Sequence, residues 1–91
     1  MMSFEIAPEY VALIVQAVRD AESFAAKLNI DLSRCRVEIH KNVPCRETVC
    51  DLVHFYEEVP AADWLEVSGL KDVCVYIARE SRQTVLITQS R

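Results

Sequence analysis

The chain has 91 residues, 52% of them hydrophobic, a single glycine and a net charge of −4. That length suits one domain, residues 1–91, whose folding buries only about 60–65% of the unfolded surface, so burial against a partner is a natural supplement to a marginal core. The acidic balance argues against a dedicated nucleic-acid binder, which carries a basic face; the apolar runs, such as Val11 to Val15, fall far short of the ~20 residues of a membrane span; and one glycine leaves no Gly-rich phosphate loop.

The first residues hold no Lys or Arg and include Glu5 and Glu9, which is not the pattern of a secretory signal. A cytoplasmic location is therefore expected, with Cys35, Cys45, Cys50 and Cys74 as free thiols. The acidic average conceals two blocks. Arg34, Arg36, Lys41 and Arg46 are opposed only by Glu38, and Glu47, Asp51, Glu57, Glu58, Asp63, Glu66 and Asp72 follow. Such a surface can steer a charged partner, although a solvated polar surface is the commoner meaning of these patterns.

A short edge strand is conceivable at residues 3–6. Pro8 opens a segment that reads as a helix to about residue 29, since proline suits the first helical turn and Asn29 suits an end. At about 100° per residue, Glu9, Gln16, Arg19, Asp20, Ser23 and Lys27 fall in one narrow polar arc. Only Glu22 breaks the rest, which carries Val11, Leu13, Ile14, Val15, Val18, Phe24 and Leu28. An ordinary surface helix has an apolar stripe little more than about 100° wide. This one is expected to be covered on more than one side, by a sheet and by a second helix or another copy of the chain.

Residues 34–40 alternate, with Cys35, Val37 and Ile39 on one face and Arg34, Arg36, Glu38 and His40 on the other. That predicts a strand of an antiparallel sheet with one dry face. Residues 44–58 are expected to form a second helix, opened by Pro44, with Val49, Leu52, Val53 and Tyr56 as its stripe and Glu47, Asp51, His54 and Glu58 opposite. Pro60 would stop it, residues 60–67 would add a short helix, and Gly69 would supply a left-handed cap. The alternations Val73–Val75–Ile77 and Val85–Ile87 predict a hairpin with Arg79 to Gln83 as its loop. The expected fold is α+β: a small three- to four-stranded, mostly antiparallel sheet with two main helices and one short helix packed on one face.

Cys35, His40, Cys45, Cys50 and His54 lie within twenty residues, and zinc accepts such donors. The absence of a Cys-x-x-Cys pair, and Cys35 turned toward the core side of its strand, point instead to four small buried or half-buried thiols, with no metal and no cofactor. Cys45 at a helix N-terminus beside Arg46, with His40 as base and Asn42 orienting it, is the sharpest catalytic arrangement available, though four cysteines and two histidines offer some such pairing in any chain. His54 between Asp51 and Glu58 on one helix face would suit a general acid or pH sensor; a solvated polar face is the simpler account.

The leading expectation is a non-enzymatic module that binds another protein, including its own copy, through Ile14, Val18, Phe55 and Trp64. Phe55 enters because it falls off the stripe of the expected second helix. Arg34, Arg36, Lys41, Glu47, Asp51 and Glu58 would form a charged partner surface. The alternatives are a small cysteine/histidine enzyme or ligand-binding protein using Cys45, His40 and His54, and an acidic inhibitor or antitoxin-like partner of a basic protein.

Overall fold

The computed structural model describes residues 2–57 and 71–89. Among these residues, one long helix, α1 (Pro8–Lys27), and a 3-10 turn at Leu32–Arg34 precede four strands: β1 (Arg36–Cys45), β2 (Thr48–Tyr56), β3 (Asp72–Ala78) and β4 (Thr84–Thr88). The strands form one antiparallel meander in the order β1-β2-β3-β4. The α+β class and the antiparallel sheet agree with the expectation. Among the described residues no helix is long and apolar enough to cross a membrane.

Both ends of α1 follow from local chemistry. Pro8 occupies the first turn and Glu9 places a carboxylate near the positive end of the helix dipole. At the other end Asn29 takes a left-handed φ of 58°. Ile30 N donates to Ala25 O at 2.9 Å and Asn29 N to Ala26 O at 3.2 Å, the paired bonds of a Schellman cap. Ile30 then turns into the core against Ala25.

Leu13, Ala17, Ala21 and Ala25, four residues apart, are the buried stripe of α1. Three alanines in that stripe bring the helix backbone close to the sheet. Opposite them stand Val53 and Phe55 from β2 and Val73, Val75 and Ile77 from β3. Burying each such side chain contributes about 1.5–3 kcal/mol. A polar clasp fixes the helix to the β3–β4 end: Gln16 Nε2 donates to Arg82 O at 2.9 Å, and Thr84 Oγ1 donates to Asp20 Oδ2 at 2.6 Å.

The second helix expected at residues 44–58 is instead the tip of β1 and all of β2. The stripe Val49, Leu52, Val53, Tyr56 fits a helix, but Val49, Asp51, Val53 and Phe55 also alternate with Cys50, Leu52, His54 and Tyr56, and short apolar runs satisfy both periods. The segment is rich in β-branched and aromatic residues, which suit a pleated surface. Pairing on both sides, with β1 and with β3, decides the matter. The chain reverses through Arg46 and Glu47, both at positive φ, between the paired Cys45 and Thr48.

Two consequences correct the sequence reading. Phe55, expected at an interface, is 1% exposed and sits in the core under α1. Asp51, expected on an acidic surface with His54, is buried and shares its side of the sheet with Val53 and Phe55, so His54 points the other way. Residues 3–6 form no strand. The short helix at 60–67, Pro60, Gly69, Glu58 and Trp64 lie outside the described residues.

Candidate functional site

The face of the sheet turned away from α1 carries most of the residues with reactive or ligating side chains. The register sets them in rows across the strands. Glu38, His54, Cys74 and Thr88 form one row, and His40, Leu52, Tyr76 and Leu86 the next. Val43, Cys50 and Ala78 follow. On the other side of the histidine row lie Arg36, Tyr56 and Asp72.

A bulge in β1 completes this arrangement. His40 pairs with Leu52 and Val43 with Cys50, so Lys41 and Asn42 together oppose the single residue Asp51. Asn42 takes a φ of 60° and its Oδ1 accepts a hydrogen bond from Arg79 Nη1. The extra residue reverses the alternation: Val37 and Ile39 face α1, whereas Val43 and Cys45 face away, beside Cys50.

His54 is the centre of the face. Its Nε2 lies 2.8 Å from Asp72 Oδ2 and its Nδ1 lies 3.3 Å from Glu38 Oε1. The same Glu38 oxygen is 3.5 Å from His40 Nε2. Tyr56 leans against the His54 ring, with centroids 5.3 Å apart. Asp72 is 2% and Cys74 4% exposed. Burial, helped by the Asp72 charge, pushes the Cys74 thiol up to about 11. Burial also raises Cys50, with Cys45 and Asp51 adding to it, and raises Tyr76, which the thiols of Cys74, Cys45 and Cys50 push further.

Among the described residues, donor atoms converge in two overlapping groups. His54, Asp72 and Cys74 hold theirs within 4.8 Å of one another, and so do Glu38, His40 and His54. The five cysteines and histidines that are close in sequence do not converge. Cys35 packs on the α1 side, where burial, Glu57 and Asp31 raise its thiol. No family model, curated protein or solved structure matches this chain.

The catalytic arrangement expected around Cys45 is not assembled. Cys45 ends a strand, so no helix dipole acts on it. His40 is five residues away on the same strand, on the other side of the bulge at Lys41 and Asn42, and Asn42 is engaged by Arg79.

Of the charged residues expected to share a partner surface, Lys41 lies 3.7 Å from Glu9 and above the Tyr10 ring, Glu47 is in the β1–β2 turn, Asp51 is buried 3.6 Å from Arg79 Nε, and Glu58 lies outside the described residues.

On α1, Val18 is exposed and Ile14 half-buried. Val11 and Val15 extend the same flank, Val15 being 56% exposed. Beyond Val18 the flank opens into a groove of about 340 Å³ lined by Ala25, Ala26, Ile30 and Leu32 among others. Ahead of the helix Met2, Phe4 and Ile6 are also exposed.

Two site residues escaped the sequence reading: Asp72 and Cys74. A strand reading of residues 48–56 would have placed His54 on the same parity as Cys50 and Tyr56, and the β3 alternation already put Cys74 with Tyr76. Which strand lies beside which is the missing term.

Proposed function

We propose that this protein is a self-associating interaction module whose α1 flank packs against a second copy of the chain. The observation that carries this reading is the mismatch between the width of the apolar sector on α1 and the width that the sheet covers. Leu13, Ala17, Ala21 and Ala25 are buried, while Val11, Val15 and Val18, next to them around the helix, remain exposed.

A second copy is the occupant that fits because the flank is self-complementary. In an antiparallel crossing centred between Ile14 and Val15, Val11 of each chain would meet Val18 of the other and Ile14 would meet Val15, so the central contact is aliphatic. A two-fold interface uses the same patch on both partners in this way. A stable interface takes about 800 Å² from each partner, more than three half-exposed valines supply. Met2, Phe4 and Ile6 would add the remainder. Phe55 has no part in it.

The test is sedimentation equilibrium of the wild type and of V15E and V18E. The wild type is expected to be dimeric or larger, and each glutamate to give monomers with an unchanged far-UV circular dichroism spectrum. A monomeric wild type, or glutamate variants that assemble as before, would overturn the proposal.

A further inference from the structure

We propose that His54 Nε2, Asp72 Oδ2 and Cys74 Sγ form a site for a single zinc-class divalent cation on the face of the sheet turned away from α1. The argument begins with where the three ligands stand. His54 and Cys74 are direct partners across β2 and β3, and Asp72 is two residues from Cys74 on the same side of β3. β2 and β3 are the two interior strands, so each is held by hydrogen bonds on both edges. Three ligands on such strands are placed by the backbone rather than by loops.

The donor set is one nitrogen, one oxygen and one sulfur. Imidazole, carboxylate and thiolate together suit zinc and its close relatives, whereas calcium and magnesium take oxygen ligands. Zinc bonds of about 2.0–2.3 Å in a tetrahedron set the donors about 3.3–3.8 Å apart. The three atoms already lie within 4.8 Å of one another. The shortest approach, 2.8 Å between His54 and Asp72, has only to open by about half an ångström to meet that tetrahedral spacing. Three protein donors leave a fourth position for water or an incoming ligand.

The surroundings match what a metal-bound histidine needs. A ligating imidazole ordinarily gives its other N–H to a carboxylate, which fixes the ring and its tautomer. Glu38 stands at Nδ1, on the side of the ring opposite Asp72. With a carboxylate at each nitrogen, only the imidazolium donates both contacts. A cation on Nε2 would stand between the ring and Asp72 and leave Nδ1–H donating to Glu38. The burial of Cys74 and Asp72 distinguishes this group from an adventitious surface cluster. On binding, the Cys74 thiol gives its proton to solvent and any proton on His54 Nε2 leaves as well; no oxidation occurs.

The overlapping group of Glu38, His40 and His54 is exposed at Glu38 and His40 and contains no sulfur. It is the natural competitor for added metal, and the experiment separates the two. The chelator-treated full-length protein is titrated with cobalt(II), followed by its absorption spectrum, and with zinc(II), followed by native mass spectrometry. One equivalent of metal and a sulfur-to-cobalt charge-transfer band are expected. C74S should remove the band and weaken zinc binding at least tenfold, E38Q should weaken binding about 10–100-fold with the band retained, and H40Q should leave both unchanged. Absence of the band from wild-type protein saturated with cobalt overturns the proposal without any variant. So does binding that H40Q abolishes and C74S spares, which would place the metal at the exposed group.

Discussion

Arg46 and Glu47, adjacent in the β1–β2 turn, both take left-handed backbone conformations, with φ of 50° and 66°. Consecutive positive φ values at the two central residues are the pattern of a type I′ turn, whose twist matches that of the strands it joins. Residues with a Cβ carry about 1–2 kcal/mol of steric cost in this conformation, and asparagine followed by glycine relieves it. The double substitution R46N/E47G is therefore expected to raise stability by about 1 kcal/mol, read as a higher urea midpoint with an unchanged slope. A lower midpoint would mean that the Arg46 or Glu47 side chain stabilises the turn by more than its backbone costs.

Asp51 and Arg79 form an unequal pair. The Asp51 carboxylate is buried, its Oδ1 has no hydrogen-bond partner, and Arg79 Nε stands 3.6 Å away with its own side chain partly in solvent. Removing the cation leaves a buried anion without its ion partner, whereas removing the anion leaves a cation that solvent can reach. R79M is expected to cost about 2–3 kcal/mol, and D51L to lie within about 1 kcal/mol of the wild type or above it. The double variant should recover most of what R79M loses. Equal losses from the two single substitutions, measured by chemical denaturation, would contradict the asymmetry.

Cys50 gives the protein a dependence on alkaline pH. Burial raises its thiol in the folded protein, with Cys45 and Asp51 adding to the shift. Above the ordinary thiol pKa of about 8.5 the unfolded chain gives up this proton while the folded chain keeps it. The folded state then binds more protons, so stability falls as pH rises. Its contribution is complete below about pH 8.5 and is lost as pH climbs through the folded value. Denaturation midpoints should decline from neutral toward alkaline pH, and more shallowly in C50A than in the wild type. Identical slopes would remove Cys50 as the cause.

The sequence by itself determined the elements whose signals are local. Pro8, the polar arc from Glu9 to Lys27 and Asn29 delimit α1, because a helix closes its own hydrogen bonds and shows its period within a few turns. The alternation through Val37 and Ile39, and through Val73, Val75 and Ile77, marks β1 and β3 as strands, with Ile39, Val73, Val75 and Ile77 in the core or packed against it and Val37 left exposed. The excess of apolar surface on α1 was likewise legible as a wheel broader than one sheet can cover. Tertiary structure alone decided residues 44–58. Their apolar spacing satisfies a helix and a strand equally, and a strand's hydrogen bonds come from segments elsewhere in the chain. The bulge at Lys41 and Asn42, the burial of Phe55 and Asp51, and the meeting of His54 with Asp72 and Cys74 all follow from that pairing. Register between distant strands is a non-local quantity, set by which faces bury together, and a slip of one residue would turn His54 toward α1 and Phe55 toward the opposite face.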